Sequence, residues 1–158
     1  MIDFLAEHHT LIDPIHYGQD KKYVGKEHSL QVACYNIFRH QLDRPFVFHP
    51  ANERKTRTVT SKTGKKFSPE GMRLKAAGVV AGTPDILINH PRGPYTGLAV
   101  EVKTKGDKPS EHQLYVLDWL ARDGWYIAVV WNTEGAERLA KGYWSLPKTG
   151  KCQPMPIF

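Results

Sequence analysis

In TPDILI an aspartate, Asp85, follows a proline and opens an apolar run; in LAVEVK, Glu101 and Lys103 stand two residues apart in an otherwise apolar one. The period of two in a strand puts Leu98, Val100 and Val102 on one face and Ala99, Glu101 and Lys103 on the other, so the acid and the lysine project together. A charged pair at a strand's end is often a solvated ion pair of little energetic consequence. This pair lies in an apolar run between helical patterns that should cover the sheet, and charges there need partners. If the two runs pair as a hairpin centred near Gly93, Asp85 falls beside Glu101 and Lys103 at its mouth. A third acid, Glu27, lies three residues before Leu30 and seven before Cys34, on the apolar stripe of a predicted helix. As a first-turn residue it also suits the helix dipole, and both roles stay open. Together Glu27, Asp85 and Glu101 offer the oxygen ligands that a hard divalent cation such as Mg²⁺ prefers. Such an ion polarises a phosphodiester and lowers the pKa of a bound water, while Lys103 offsets the charge growing on the attacked phosphate or orients the water.

The elements that must hold these groups are read from periodicity. From Lys26 to Leu42, Leu30, Ala33, Cys34, Ile37, Phe38 and Leu42 recur at three- and four-residue spacing, an amphipathic helix ended before Pro45. PFVFH, from Pro45 to His49, predicts a short strand. SPEGMRLKAAG predicts a short helix with Ser68 as N-cap, Pro69 at its first position and Gly78 as terminator. Two strands follow, Asp85 to Ile88 and Leu98 to Lys103, then a helix opened by Ser110 and closed at Gly124, the apolar strand WYIAVVW, and a last helix from Glu134 to Lys141. The order is that of a small α/β domain around a mixed sheet flanked by helices. Residues 1–24, polar and His-rich, predict an irregular arm or short strand and a candidate oligomer contact; residues 131–158 supply the last helix and a tail.

At 158 residues, 41% of them hydrophobic, one domain with a real core is expected. The formal net charge of +6 suggests a polyanionic partner. Much of the basic charge falls in ANERKTRTVTSKTGKKF, where Arg54, Lys55, Arg57, Lys62, Lys65 and Lys66 form either a solvated loop or a flap or hairpin that follows a phosphate backbone; we favour the flap. Cys34 and Cys152 lie far apart without a CxxC spacing, and His8, His9 and His16 have no tetrahedral ligand spacing, so neither a disulfide framework nor a zinc site is indicated. The cysteine usage suits a reducing, cytoplasmic setting, and no run approaches a membrane span.

Pro84-Asp85 followed by Glu101-Val102-Lys103 resembles the PD-(D/E)XK nuclease superfamily. The fuller pattern is more specific. Glu27 in a leading helix, Pro50 and Asn52-Glu53 after a strand, LKAAGVVAGTPDILI and EVKTKGDKPSEHQ together resemble the virus-type replication-repair nuclease, or VRR-NUC, domain from about Glu27 to Val130. The resemblance implies a restriction-endonuclease-like core and Mg²⁺- or Mn²⁺-dependent phosphodiester hydrolysis. It makes Glu27, Asp85 and Glu101 metal-associated acids, adds the backbone carbonyl of Val102 as a ligand, and makes Lys103 the catalytic lysine. It also gives Gln113 a catalytic place, although Ser110-Glu111-His112-Gln113 equally fits a capping box. Asn52, Glu53 and Lys75 match family positions and become candidate DNA contacts. Stand-alone members of the family resemble viral or bacterial homodimers acting on four-way DNA junctions in repair and recombination, in the host cytoplasm if viral. The expectation is therefore a dimeric Holliday-junction endonuclease with no small-molecule cofactor. A nuclease for flaps, nicked duplex or a specific sequence is the alternative within the class, and a non-catalytic DNA-binding module on the same fold lies outside it.

Overall fold

The computed structural model describes residues 13–19, 23–41, 46–50, 58–61 and 63–148. Five strands form the main sheet, in the order β1-β7-β6-β5-β2: β1 (Ile15–Tyr17), β2 (Val47–Phe48), β5 (Ile86–Ile88), β6 (Leu98–Val102) and β7 (Tyr126–Val130). The centre is parallel, β6 with β7 and β7 with β1, while β5 runs antiparallel to β6 and β2 antiparallel to β5. A separate two-stranded ribbon pairs β3 (Val59–Thr60) with β4 (Lys66–Phe67).

Two helices cover one face of the sheet. In α1 (Glu27–Gln41), Leu30, Cys34 and Phe38 recur every four residues and are fully buried. They meet Leu98, Val100 and Val102 of β6 together with Ala136, Leu139 and Ala140 of α4 (Thr133–Ser145). Each large side chain buried here stabilises the fold by roughly 1.5–3 kcal/mol before entropy is counted. On the opposite face α3 (Glu111–Arg122) lays Leu117 against Ala99 and Ile127. The alternation read from LAVEVK is thus the partition between the two layers.

The leading segment carries one of the two forms expected of it, the short strand β1, a three-residue edge strand paired with β7. Two elements depart from the sequence expectation. The last helix runs on to Ser145, past the expected stop at Lys141, because Tyr143 is 2% exposed and its hydroxyl donates to the His90 carbonyl at 2.8 Å. That packing outweighs the cost of about 1 kcal/mol for Gly142 inside a helix. Asp85 stands just before β5 rather than in it. The short helix α2 (Pro69–Ala76) forms as expected, its Gly71 N–H donating to the Ser68 cap at 3.0 Å, but buries none of its residues.

Candidate active site

The register of β5 with β6 pairs Ile86 with Val100 and Ile88 with Leu98, which brings Asp85 beside the end of β6. Asp85 is 8% exposed and both of its carboxylate oxygens are held. Oδ2 accepts from the backbone N–H of Val102 at 2.8 Å, and Oδ1 from Nε2 of Gln31, on α1, at 3.1 Å. Nδ1 of His49, just after β2, bonds the Asp85 carbonyl.

Glu101 is fully buried. Its Oε1 takes the Lys103 ammonium at 2.8 Å and the side-chain amide of Gln113, while Oε2 is buried with no hydrogen-bond partner. Lys103 Nζ lies 3.4 Å from Glu27 Oε1, so the first turn of α1 joins the cluster through the lysine. Gln113 closes the capping box read from sequence and also bonds Glu101. Its Oε1 accepts from the Ser110 N–H at 2.8 Å and its own N–H donates to Ser110 Oγ at 3.3 Å, closing the capping box while Nε2 turns to Glu101. The local motif that orders the helix start therefore also fixes a buried acid.

Burial, and after it the charge of Asp85, push the Glu101 carboxyl up to about 8, although the Lys103 ammonium pulls it back. Burial disfavours the charge on Lys103, yet Glu101, Glu27 and Asp85 outweigh that and leave its pKa raised. The neighbourhood carries more negative charge than one ammonium neutralises. A second cation would be favoured there.

The donor set fits a hard divalent ion. Glu101 Oε2 is an orphaned carboxylate oxygen, Asp85 brings a second carboxylate beside it, and the Val102 carbonyl lies in the chain between Glu101 and Lys103. Among the described residues no three His, Cys, Asp or Glu side chains form a ready-made metal cluster. One or two carboxylates completed by waters is the usual manner of Mg²⁺. Cys34 offers no thiolate, since burial and the Asp85 charge push its pKa up to about 12.

A recess of about 300 Å³ opens beside Asp85, lined by Gly82, Thr83, Ser110, His112 and Gln113. Gly82 has φ +83, and a Cβ there would come within 2.5 Å of the His112 carbonyl, so only glycine lets this loop close on the start of α3. A larger recess of about 470 Å³, between β1, the loop around Pro109 and Trp131, is lined by none of the five acidic, lysine and glutamine positions expected from sequence.

Of the expected DNA contacts, Lys65 and Lys66 are exposed on the β3–β4 ribbon and Lys75 is exposed on α2. Asn52, Glu53, Arg54, Lys55, Arg57 and Lys62 lie outside the described residues. Sequence reasoning missed Gln31 and His49. Gln31 carried a signal, a polar residue next to Leu30 and four after Glu27 on a buried stripe. His49 carried none, because its partner is a backbone atom from a distant segment.

The VRR-NUC domain family model matches residues 25–132 of the 158. Among solved structures the chain is similar to a VRR_NUC domain protein at 24% identity, with a TM-score of 0.61 over 80% of this chain and 93% of the other. That likeness speaks for the fold. No curated protein matches the sequence.

Proposed function

The chain belongs to the VRR-NUC domain family and is by that membership a DNA nuclease, and on that premise we propose that it is a divalent-metal-dependent endonuclease for branched DNA. In this reading residues 1–158 form one nuclease domain, working in the cytoplasm as a homodimer that resolves four-way junctions. The observation that carries the metal-dependent chemistry is Glu101 Oε2, a buried carboxylate oxygen without a partner beside a second acid and a lysine. A scaffold would gain nothing from it, since a buried polar atom left without a partner costs about 1–3 kcal/mol.

Mg²⁺ or Mn²⁺ bound between Asp85, Glu101 and the Val102 carbonyl would polarise the scissile phosphate and lower the pKa of a bound water. Gln31 and the Val102 N–H hold both Asp85 oxygens in place, and Gln113 with Lys103 holds one oxygen of Glu101, so the acids are set before substrate arrives. The Lys103 ammonium, fixed between Glu27 and Glu101, offsets the charge that builds on the phosphate oxygens. The recess beside Asp85 gives the strand a way past the site. Lys65, Lys66 and Lys75 would contact phosphates, recognition resting on backbone and shape. The junction reading rests on what the family resemblance implies and on the basic balance of the chain; two sites related by a twofold axis cut two strands symmetrically, which one site cannot.

The test is a panel of labelled four-way junction, flap, nicked and linear duplex in Mg²⁺ or Mn²⁺, with the mass of the protein measured in solution. We expect paired cuts in the junction by a dimer, abolished in Asp85→Asn and Lys103→Ala while binding survives. Near-normal cleavage by both variants would sink the site; equal cutting of linear duplex would sink the junction preference.

A further inference from the structure

Residues 58–61 and 63–80 carry the β3–β4 ribbon and α2, a lobe in which none of the described side chains is buried. The β3–β4 ribbon sets Val59 opposite Phe67 and Thr60 opposite Lys66, so one ribbon face is apolar and the other basic. Val59 is 41% exposed, Phe67 38%, Met72 of α2 62% and Val80 58%. A lone two-stranded ribbon and a helix of two turns are each marginal in water, and α2 buries nothing that would steady them. Exposed apolar side chains gathered on so short a segment suit a partner.

The charges choose between partners. Lys65, Lys66, Arg73 and Lys75 stand among these residues against the single acid Glu70. A second copy of the lobe would oppose like charge to like, whereas a polyanion with apolar surfaces answers both features. Nucleic acid with unstacked bases is such a partner. The lobe's position suits it, because the chain leaves α2, closes on α3 at Gly82 and reaches Asp85 three residues later.

We propose that the lobe reads DNA branching: Lys66 and its basic neighbours follow the backbone while Phe67 and Met72 pack against bases unstacked at a junction or flap. The proposal rests on the DNA-nuclease reading and deepens it. Linear duplex hides its base faces, so the apolar contacts form only at a branch, and the preference for branched DNA arises in this lobe. Wedge residues of this kind keep a step unstacked by replacing lost base–base contact.

Binding is measured in the full-length Asp85→Asn protein, so that no strand is cut, on a four-way junction carrying 2-aminopurine at the branch and on linear duplex of the same sequence. Phe67→Ala and Met72→Ala are each expected to weaken junction binding about 10-fold, the scale of one lost stacking contact, and to leave linear binding unchanged. They should also remove the fluorescence rise that unstacking produces. Both side chains are exposed, so thermal midpoints should stay at the parent value. Lys66→Ala should weaken both substrates alike and lower the salt slope by about 1. Equal weakening on both substrates by the apolar variants, or no weakening, overturns the proposal, as does a shift from dimer to monomer that marks the lobe as an interface between copies. Failure of the parent to bind any DNA would instead overturn the nuclease reading beneath it.

Discussion

The hairpin of β5 and β6 buries a charge at each end, and the two ends meet that burden differently. At the tip, Arg92 is 3% exposed and two of its guanidinium nitrogens, Nε and Nη2, lack hydrogen-bond partners. Its guanidinium carbon stands 3.6 Å above the Trp144 ring centroid, so a quadrupole takes the place of an anion. His90 beside it stays neutral, its pKa lowered by burial, then by Arg92 and Lys148. The neutral imidazole spares Arg92 one like-charge neighbour. At the mouth, Glu101 has a second acid as neighbour, one oxygen shared by two donors and the other with none. That conflict is relieved by a proton or by a cation. A closed conflict belongs to the scaffold; an open one marks the place where chemistry can enter.

Glu101→Gln breaks the contrast most severely. We expect cleavage to fall on the order of 10³-fold, the scale of losing a principal electrostatic group, while the protein stays folded. Because burial and Asp85 raise the folded pKa from its ordinary 4.5 to about 8, the unfolded state releases the proton first. Stability without divalent ions should therefore be full at low pH and decline as pH climbs between those values, the charge on Lys103 staying constant throughout. Melting at intervals from pH 5 to 8 should show this decline diminished in the variant and opposed by Mg²⁺. An unchanged slope in the variant would contradict the assignment.

A smaller effect is expected from Gln31→Leu, which removes one donor from Asp85 without removing a carboxylate. The Mg²⁺ concentration for half-maximal cleavage should rise about 10- to 100-fold, as for other partners that orient a metal ligand. Calorimetric titration with Mg²⁺ alone should show the same weakening, and unaltered binding would reduce Gln31 to core packing. Smallest is the tip: Arg92→Met should cost about 1 kcal/mol in denaturant unfolding and leave cleavage within about 2-fold. A large loss of activity there would erase the difference between the ends.

Much of the site was legible because its geometry is local. Equal pairing about Gly93 is the register observed, and a period of two is enough to send Glu101 and Lys103 to one face. Ser110 and Gln113 were legible as a capping box, but that the same glutamine also bonds Glu101 required the helix to be docked on the sheet. The bonds of Gln31 and His49 to Asp85 join segments whose sequence separations are 54 and 36 residues, beyond the reach of any periodicity.

By itself the sequence determined the elements, the face on which each acid lies, the basic balance and the family pattern, because dihedral preferences and side-chain periods act over a few residues. Only the tertiary structure decided the environment: which oxygens of Asp85 and Glu101 are held, that Lys103 spans Glu27 and Glu101, and that α2 and the β3–β4 ribbon bury none of their described side chains. Burial and charge–charge distance are properties of packed segments, so the difference between an acid that merely faces water and one held buried beside a second acid and a lysine appears only once the layers have closed.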